Sequence, residues 1–474
     1  MSRRFGIFLA SLCALVAGCA TPSVSERALT AIVDVTVVHP ERDAEQAAVA
    51  GSNVIIDGAR ISAVGPAQNT PVPPGAKVID GRGRWLIPGL IDAHVHFFQS
   101  GNLYTRPDVA DFNAWMPYAR EVARNKARLE STFKVWLASG VTGVVDIGGP
   151  MWNFEMRDLA DSSAAAPRVA VAGPLISMID RTKLDLGDPP IIKIATPEAA
   201  RALVRRQLAL RPQYIKVWFI HQDGDDLAAQ EAIVKAAADE AHAAGVRLAV
   251  HATELLVAKA ALRAGADYLV HSVEDKPVDE EFLALARSRR VLYCPTLFVY
   301  QGYDMALSNT WKPTPAEAQY ADPDILAAMH DLDKIPELLI PERVKTRMAK
   351  PPPPQTPPDA LQNLRRVRDA GITVVLGTDA GNIGTLHGPS ILREAQLMQQ
   401  AGLSPLEILR AATTGGAAAM GLQQQIGSIA SGKFADLVLL GADPLADSSN
   451  LSTVKLVFRA GRAFDPDELM RSLK

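Results

Sequence analysis

From residue 90 onward, short runs of consecutive apolar residues alternate with stretches of helical period. The runs are LIDAHVHF, VTGVVDIGG, RVAVAGPLI, YIKVWFI, VRLAVHA, DYLVHSV, VLYCPTL and ITVVLGTDA, eight in all. Helical patterns separate most of them, at 197–210, 227–244 and 254–264 for example. A strand that is apolar at nearly every position is buried on both faces, as parallel strands under helices are. Eight such units predict an α/β chain with a (β/α)8 TIM barrel over residues 89–421. Residues 28–88 differ: AIVDVTVV, SNVIIDG, ARISAVG and AKVIDGRGRWLIPG are β-rich runs parted by turn residues, with no helix-length period. Strand patterns return in 422–474 with GSIASGKFADLVLL and LSTVKLVFRAGRAF. The two ends together predict a small β-sandwich domain.

One connection is out of proportion. About 75 residues part VLYCPTL from ITVVLGTDA, and the insertion at 300–358 includes KPPPPQTPPD. A structureless loop of that length does not suit a compact domain. PDILAAMHDLDKIPELL at 323–339 fits a helix with breaks, and the proline run an extended tether. Above a barrel such an insertion serves as a lid or pocket wall.

The chain has 474 residues, a formal net charge of −3 and no basic tract, so nucleic-acid binding has no electrostatic support. MSRR followed by FGIFLASLCALVAG is a basic start and an apolar run too short to span a bilayer comfortably. LVAGC resembles the lipobox of bacterial lipoproteins. The resemblance implies a signal peptide at 1–18, lipidation of Cys19, and a protein anchored to the outer membrane and facing the periplasm. Of the three cysteines only Cys294 would remain free in the mature body, so no internal disulfide can form, and VLYCPTL reads as a buried, inert thiol.

The opening strand pattern carries the first chemistry. His94 and His96 lie two apart, and residues two apart in a strand share a face. At the C-terminal end of a first barrel strand they would look into the barrel mouth, where catalytic groups of this fold collect. Imidazole suits zinc and similar divalent ions. Lys216, His251, His271 and Asp379 end four further strand patterns. Six candidate ligands thus come from five strands of one sheet.

At these residues the chain resembles the amidohydrolase superfamily, and within it the imidazolonepropionase-like and prolidase-like group. The marks are IPGLIDAHVHFF, YIKVWFI, VHATELLVAKAALRAGADYLVHSV, PTLFVY, LGTDAG, LSPLEILRAATTGGAAAMGL and GSIASGKFADLVLLGADPL. The resemblance implies two divalent metal ions, zinc being the usual one. His94, His96 and Asp379 would hold the first ion and His251 and His271 the second. Lys216 would bridge them after N-carboxylation, since an ammonium cannot bind a cation. It further implies hydrolysis of a C–N amide bond by water activated between the ions. Asp379 would act as general base, with His271 and His387 as the other catalytic candidates. The substrate class implied is a dipeptide or N-acyl amino acid. The alternative is a cyclic amide or imidazolone, or deamination of a heterocycle. Glu254, three residues after His251, keeps the deaminase alternative open, although an acidic residue at a helix start is common. A catalytically inactive binding lipoprotein would be favoured by a missing ligand, and none is missing.

His387, Tyr300, Arg181 and His221 are the candidate substrate contacts, with Trp218 and Tyr303 near them. His39, His242 and His330 fall outside the strand ends and read as solvated or capping residues. The expected partner is a small-molecule substrate, with a homo-oligomer compatible with the chain.

Overall fold

A computed structural model describes residues 29–473; the expected signal segment 1–18 and Cys19 lie outside the described residues. Strands Leu29–Val38, Ala48–Asp57, Arg60–Pro66, Lys77–Asp80 and Trp85–Pro88 from one end join Leu437–Leu440, Val454–Arg459 and Arg462–Phe464 from the other. They make a single hydrogen-bonded sheet of eight strands. The two ends meet where Leu437–Leu440 runs antiparallel to Trp85–Pro88. Alternation along these strands sends Ile32, Val35, Val54, Leu86, Leu437 and Phe458 into one apolar core.

The central residues form a mixed α/β, TIM-barrel-like arrangement. Val141–Asp146 pairs in parallel with Leu90–Val95 on one side and Arg168–Val171 on the other. The third expected strand is split at Ala172, Gly173 and Pro174, resuming as Leu175–Ser177, and both pieces reach Tyr214–Trp218. Arg247–His251, Tyr268–Val270, Leu292–Cys294 and Thr373–Val374 follow, each parallel to the one before. Residues 375–380 then return to the first strand. Ala93 N donates to Leu376 O at 2.9 Å, Asp379 N to His94 O at 2.8 Å and His96 N to Ala380 O at 2.8 Å. Gly377 permits this approach: a Cβ there would lie 2.5 Å from Cys294 Sγ and 2.7 Å from His94 N.

The strand interior is packed. Ile91, Val145, Tyr214, Ala249 and Tyr268 meet Ala417 and Met420 of the helix Gly416–Met420. Outward residues of the same strands, Ile215 and Val217 among them, join the larger core under the surrounding helices. With its interior filled, the ring leaves room for chemistry only beyond the strands' C-terminal ends.

The insertion is helical over Phe298–Leu307, Pro315–Tyr320, Pro323–Ala328 and Glu342–Ala349. The helix expected over 323–339 stops at Ala328, and short 3-10 turns follow at Asp331–Asp333 and Glu337–Leu339. Trp311, Met329, Leu332 and Val344 pack on Leu103 and Phe112 from the segment after the first ring strand, a satellite core that roofs one side of the mouth. Among the described residues no helix is long and apolar enough to cross a membrane.

Candidate metal centre and substrate pocket

Six of the residues singled out by their strand positions line one cavity of about 310 Å³ at the C-terminal ends of the ring strands: His94, His96, Lys216, His251, His271 and Asp379. Simple alternation places only some of them. Tyr214 and Ala249 face the interior, so Lys216 and His251, two residues on, follow the same face. His94 does not follow. Ile91 and Ala93 face the interior, and continued alternation would put His94 on the opposite face. A register irregularity between Asp92 and Val95, against Val141–Asp146, re-aims it. His271 follows the inward Val270 and would face outward, but it holds a left-handed φ of 71° that breaks the alternation.

The side chains converge closely. His94 Nε2 lies 3.3 Å from His96 Nε2. Asp379 Oδ1 lies 3.3 Å from the first of these nitrogens and 3.2 Å from the second. Despite these approaches, Asp379 Oδ1 and His94 Nδ1 are buried with no hydrogen bond of good geometry. Ligand atoms of His94, His271 and Asp379 all lie within 4.8 Å of one another. His271 stands 4.9 Å from His94 and 4.5 Å from His251, centroid to centroid. Packed nitrogen and oxygen lone pairs that do not satisfy one another are the donor set a divalent cation requires.

The surroundings fix how the ligands present themselves. His96 Nδ1 donates to Gly148 O at 2.7 Å, which leaves Nε2 as the free lone pair. Gly148 is held by Asp146, whose carboxylate accepts from Gly148 N at 3.1 Å, Phe97 N at 2.9 Å and Asn153 Nδ2 at 2.9 Å. His271 Nδ1 is 2.6 Å from Thr296 Oγ1. Burial drives the His94 pKa down to about 3 and those of His251 and His271 well below the usual range. Burial opposes ionisation of Asp379, but the imidazoles of His94, His96 and His271 outweigh it and hold the carboxyl well below its ordinary value. At neutral pH His94, His251 and His271 are therefore neutral imidazoles beside one carboxylate. Burial also lowers Lys216 to about 7, against the opposing pull of Asp379 and Cys294.

The remaining candidates separate. Tyr300, Tyr303 and Trp218 line the cavity. Arg181 lies outside the lining, its guanidinium 4.8 Å above the Trp218 ring and 3.4 Å from Asp108. His221 is outside as well, its Nδ1 2.8 Å from Gln230 Oε1. His387, expected to touch substrate, does not line the cavity. It stacks on Phe97 at 5.5 Å, and its Nε2 faces His96 O at 3.2 Å. The physical reason is the apolar pair Phe97 and Trp136, which draws the ring behind the His96 backbone. Glu254 is exposed at the N-cap of Leu255–Ala264 and does not reach the cavity. Cys294 is fully buried in the strand interior, its thiol pKa pushed well up by burial.

Arg106, Asn382 and Glu274 also stand in the cavity wall, with no strand-end pattern in the sequence to single them out. Glu274 follows His271 by three residues, the spacing that drew notice to Glu254 after His251. Arg106 sits in an irregular segment, where no periodicity exists to read.

The sequence profile of the amidohydrolase family matches residues 85–464. An imidazolonepropionase from Symbiobacterium thermophilum is 24% identical over 435 residues, covering 84% of this chain and 86% of its own. The crystal structure of the ochratoxinase of Aspergillus niger superposes with a TM-score of 0.68 at 21% identity, covering 93% of this chain and 96% of its own. A Xaa-Pro dipeptidase with methionine bound in its active site gives a TM-score of 0.69 at 22% identity, covering 92% and 100%.

Proposed function

Because the chain belongs to the amidohydrolase family and is a hydrolase acting on carbon–nitrogen bonds, we propose that it cleaves the amide bond of a dipeptide or N-acyl amino acid at a two-metal centre. The observation that carries this reading is the convergence of four histidines, Asp379 and Lys216 on one cavity at the strand ends. His94, His96 and Asp379 would hold one divalent ion, His251 and His271 a second, zinc suiting this nitrogen-rich set. When bound, the ions would supply an activated water and polarise the scissile carbonyl. We read the strand ring as a closed (β/α)8 barrel and the terminal strands as a small sandwich-like domain.

The chain's own groups perform the rest. Lys216, brought to about 7, has a neutral amine fraction that can add CO2 and release a proton, giving a carbamate able to face cations. Asp379, held anionic, accepts the proton of the attacking water at its carboxylate and passes it to the leaving amine. His96 and His271, anchored through Nδ1 on Gly148 O and Thr296 Oγ1, keep their Nε2 lone pairs toward the centre.

Protein supplemented with divalent metal and bicarbonate should cleave a related subset of dipeptides or N-acyl amino acids in a mass-spectrometric screen. The alternative reading, opening of a cyclic amide, would be seen in the same screen. Asp379→Asn should keep its metal content while kcat falls by about 10²–10⁴-fold. Near-wild-type turnover in that variant, or fewer than one ion per chain after supplementation, overturns the proposal.

A further inference from the structure

The cavity above the candidate metal centre has two walls of opposite charge. On one, Arg106 turns Nε and Nη2 to Asp108 at 2.8 and 2.7 Å and Nη1 to Asn382 Oδ1 at 3.0 Å. Tyr303 donates to the same Asn382 oxygen at 2.7 Å. Arg181, outside the lining, approaches Asp108 at 3.4 Å, so that carboxylate is shared between two guanidiniums and only partly offsets the charge of Arg106, the cation of this wall. On the other wall stands Glu274. Tyr300 and Thr253 hydrogen-bond to its carboxylate, yet Glu274 Oε2 is buried and has no hydrogen-bond partner of good geometry. Glu254 and Asp275, exposed outside the cavity, add negative charge behind it, and Glu274 is the carboxylate of this wall.

A buried carboxylate oxygen left without a donor is costly unless a ligand completes it. An ammonium offers three donors and the opposite charge. Glu274 and Arg106 both line the same cavity. Tyr300, beside Glu274, and Tyr303, beside the Arg106–Asn382 pair, are three residues apart in the helix Phe298–Leu307. Two residues of extended peptide span at most about 7 Å. A cavity of about 310 Å³ also sits at the small end for ligand sites.

We propose that Glu274 is a specificity-determining residue that receives the free α-ammonium of a dipeptide whose carboxylate faces Arg106, so that the enzyme selects unblocked dipeptides over N-acyl amino acids. This rests on the amide-hydrolase reading above and narrows it. No bond is made or broken by Glu274; it positions the substrate's amino end while the scissile amide lies between the two poles.

The test uses the full metal-supplemented protein and matched substrates: free dipeptides, their N-acetyl derivatives and their C-terminal amides. In wild type, N-acetylation and amidation should each lower kcat/KM by about 10- to 100-fold. In Glu274→Gln, the free dipeptide should lose a similar factor, mainly through KM, and the preference for free over N-acetyl substrate should collapse. A purely structural role for Glu274 would lower activity on both substrates alike and preserve that ratio, which overturns the proposal. Cleavage of N-acetyl substrates as fast as free ones in wild type overturns it too, while leaving amide hydrolysis standing. Cleavage of no member of the three sets, with metal content verified, overturns both.

Discussion

His271, Thr296 and Asp379 share an unusual trait: φ values of 71°, 45° and 61°, three of eight non-glycine residues in the left-handed region among those described. Such conformations cost of order 1–3 kcal/mol each and persist where the surroundings over-determine them. Here they turn side chains into the mouth after the strand alternation has run out. Thr296 also sets the His271 ring through its Oγ1, 2.6 Å from Nδ1. Thr296→Val keeps the branched shape and deletes that partner. Metal affinity, measured by competition with a chelator, should weaken by about 10- to 100-fold; unchanged affinity would show that the ring is oriented by packing alone. These residues also mark what the sequence displays and what it hides. The histidines were legible because their chemistry is rare and they fall at the ends of apolar runs, although alternation alone does not aim His94 or His271. Glu274 and Thr296 were not, because a glutamate or a threonine near a strand end is ordinary until its neighbours are in place.

At the scale of elements, the eight apolar runs all correspond to observed strands of a TIM-barrel-like α/β arrangement. Several strands are shorter than their runs: Thr373–Val374 has two residues, with 375–380 bonded to the first strand without regular ladder geometry. Sequence patterns report burial, and burial continues past the last ladder bond. The split at Gly173–Pro174 and the bulge beyond Asp92 are backbone events that hydrophobic period cannot encode. The closing segment depends on Gly377. Gly377→Ala would drive a methyl group onto Cys294 Sγ and the His94 backbone. Thermal or denaturant unfolding should show a loss of about 1–3 kcal/mol, with metal stoichiometry falling in parallel because His94 must shift. A variant of wild-type stability and metal content would mean that the last strand yields more freely than the contacts suggest.

Across the whole molecule, the terminal sheet and the ring are tied by Asp436. Its side chain is 2% exposed, meets Arg168 Nε at 2.6 Å and accepts from Ala460 N at 2.6 Å. Its own carbonyl accepts from Gly89 N, one residue before the first ring strand. Arg168 opens the third ring strand, so one carboxylate pins both bodies. Asp436→Ala strands a largely buried guanidinium and should destabilise the fold by about 3 kcal/mol, the low end for a broken buried pair because Arg168 keeps some solvent. Chemical denaturation checks this; a change under about 0.5 kcal/mol, the range of ordinary surface substitutions, would show the tie to be dispensable.

The same joining of distant segments sets an order of events during synthesis. Trp85–Pro88 leaves the ribosome early, but its antiparallel neighbour Leu437–Leu440 is encoded some 350 residues later. At 5–20 residues per second, the strand waits roughly 20–70 s for that neighbour. Throughout that interval the nascent chain carries an apolar β edge with open amides and carbonyls, a template for wrong pairing. Completion of the sheet is therefore a late, post-ring event, and whatever escorts the growing chain must keep that edge covered until the last strands arrive.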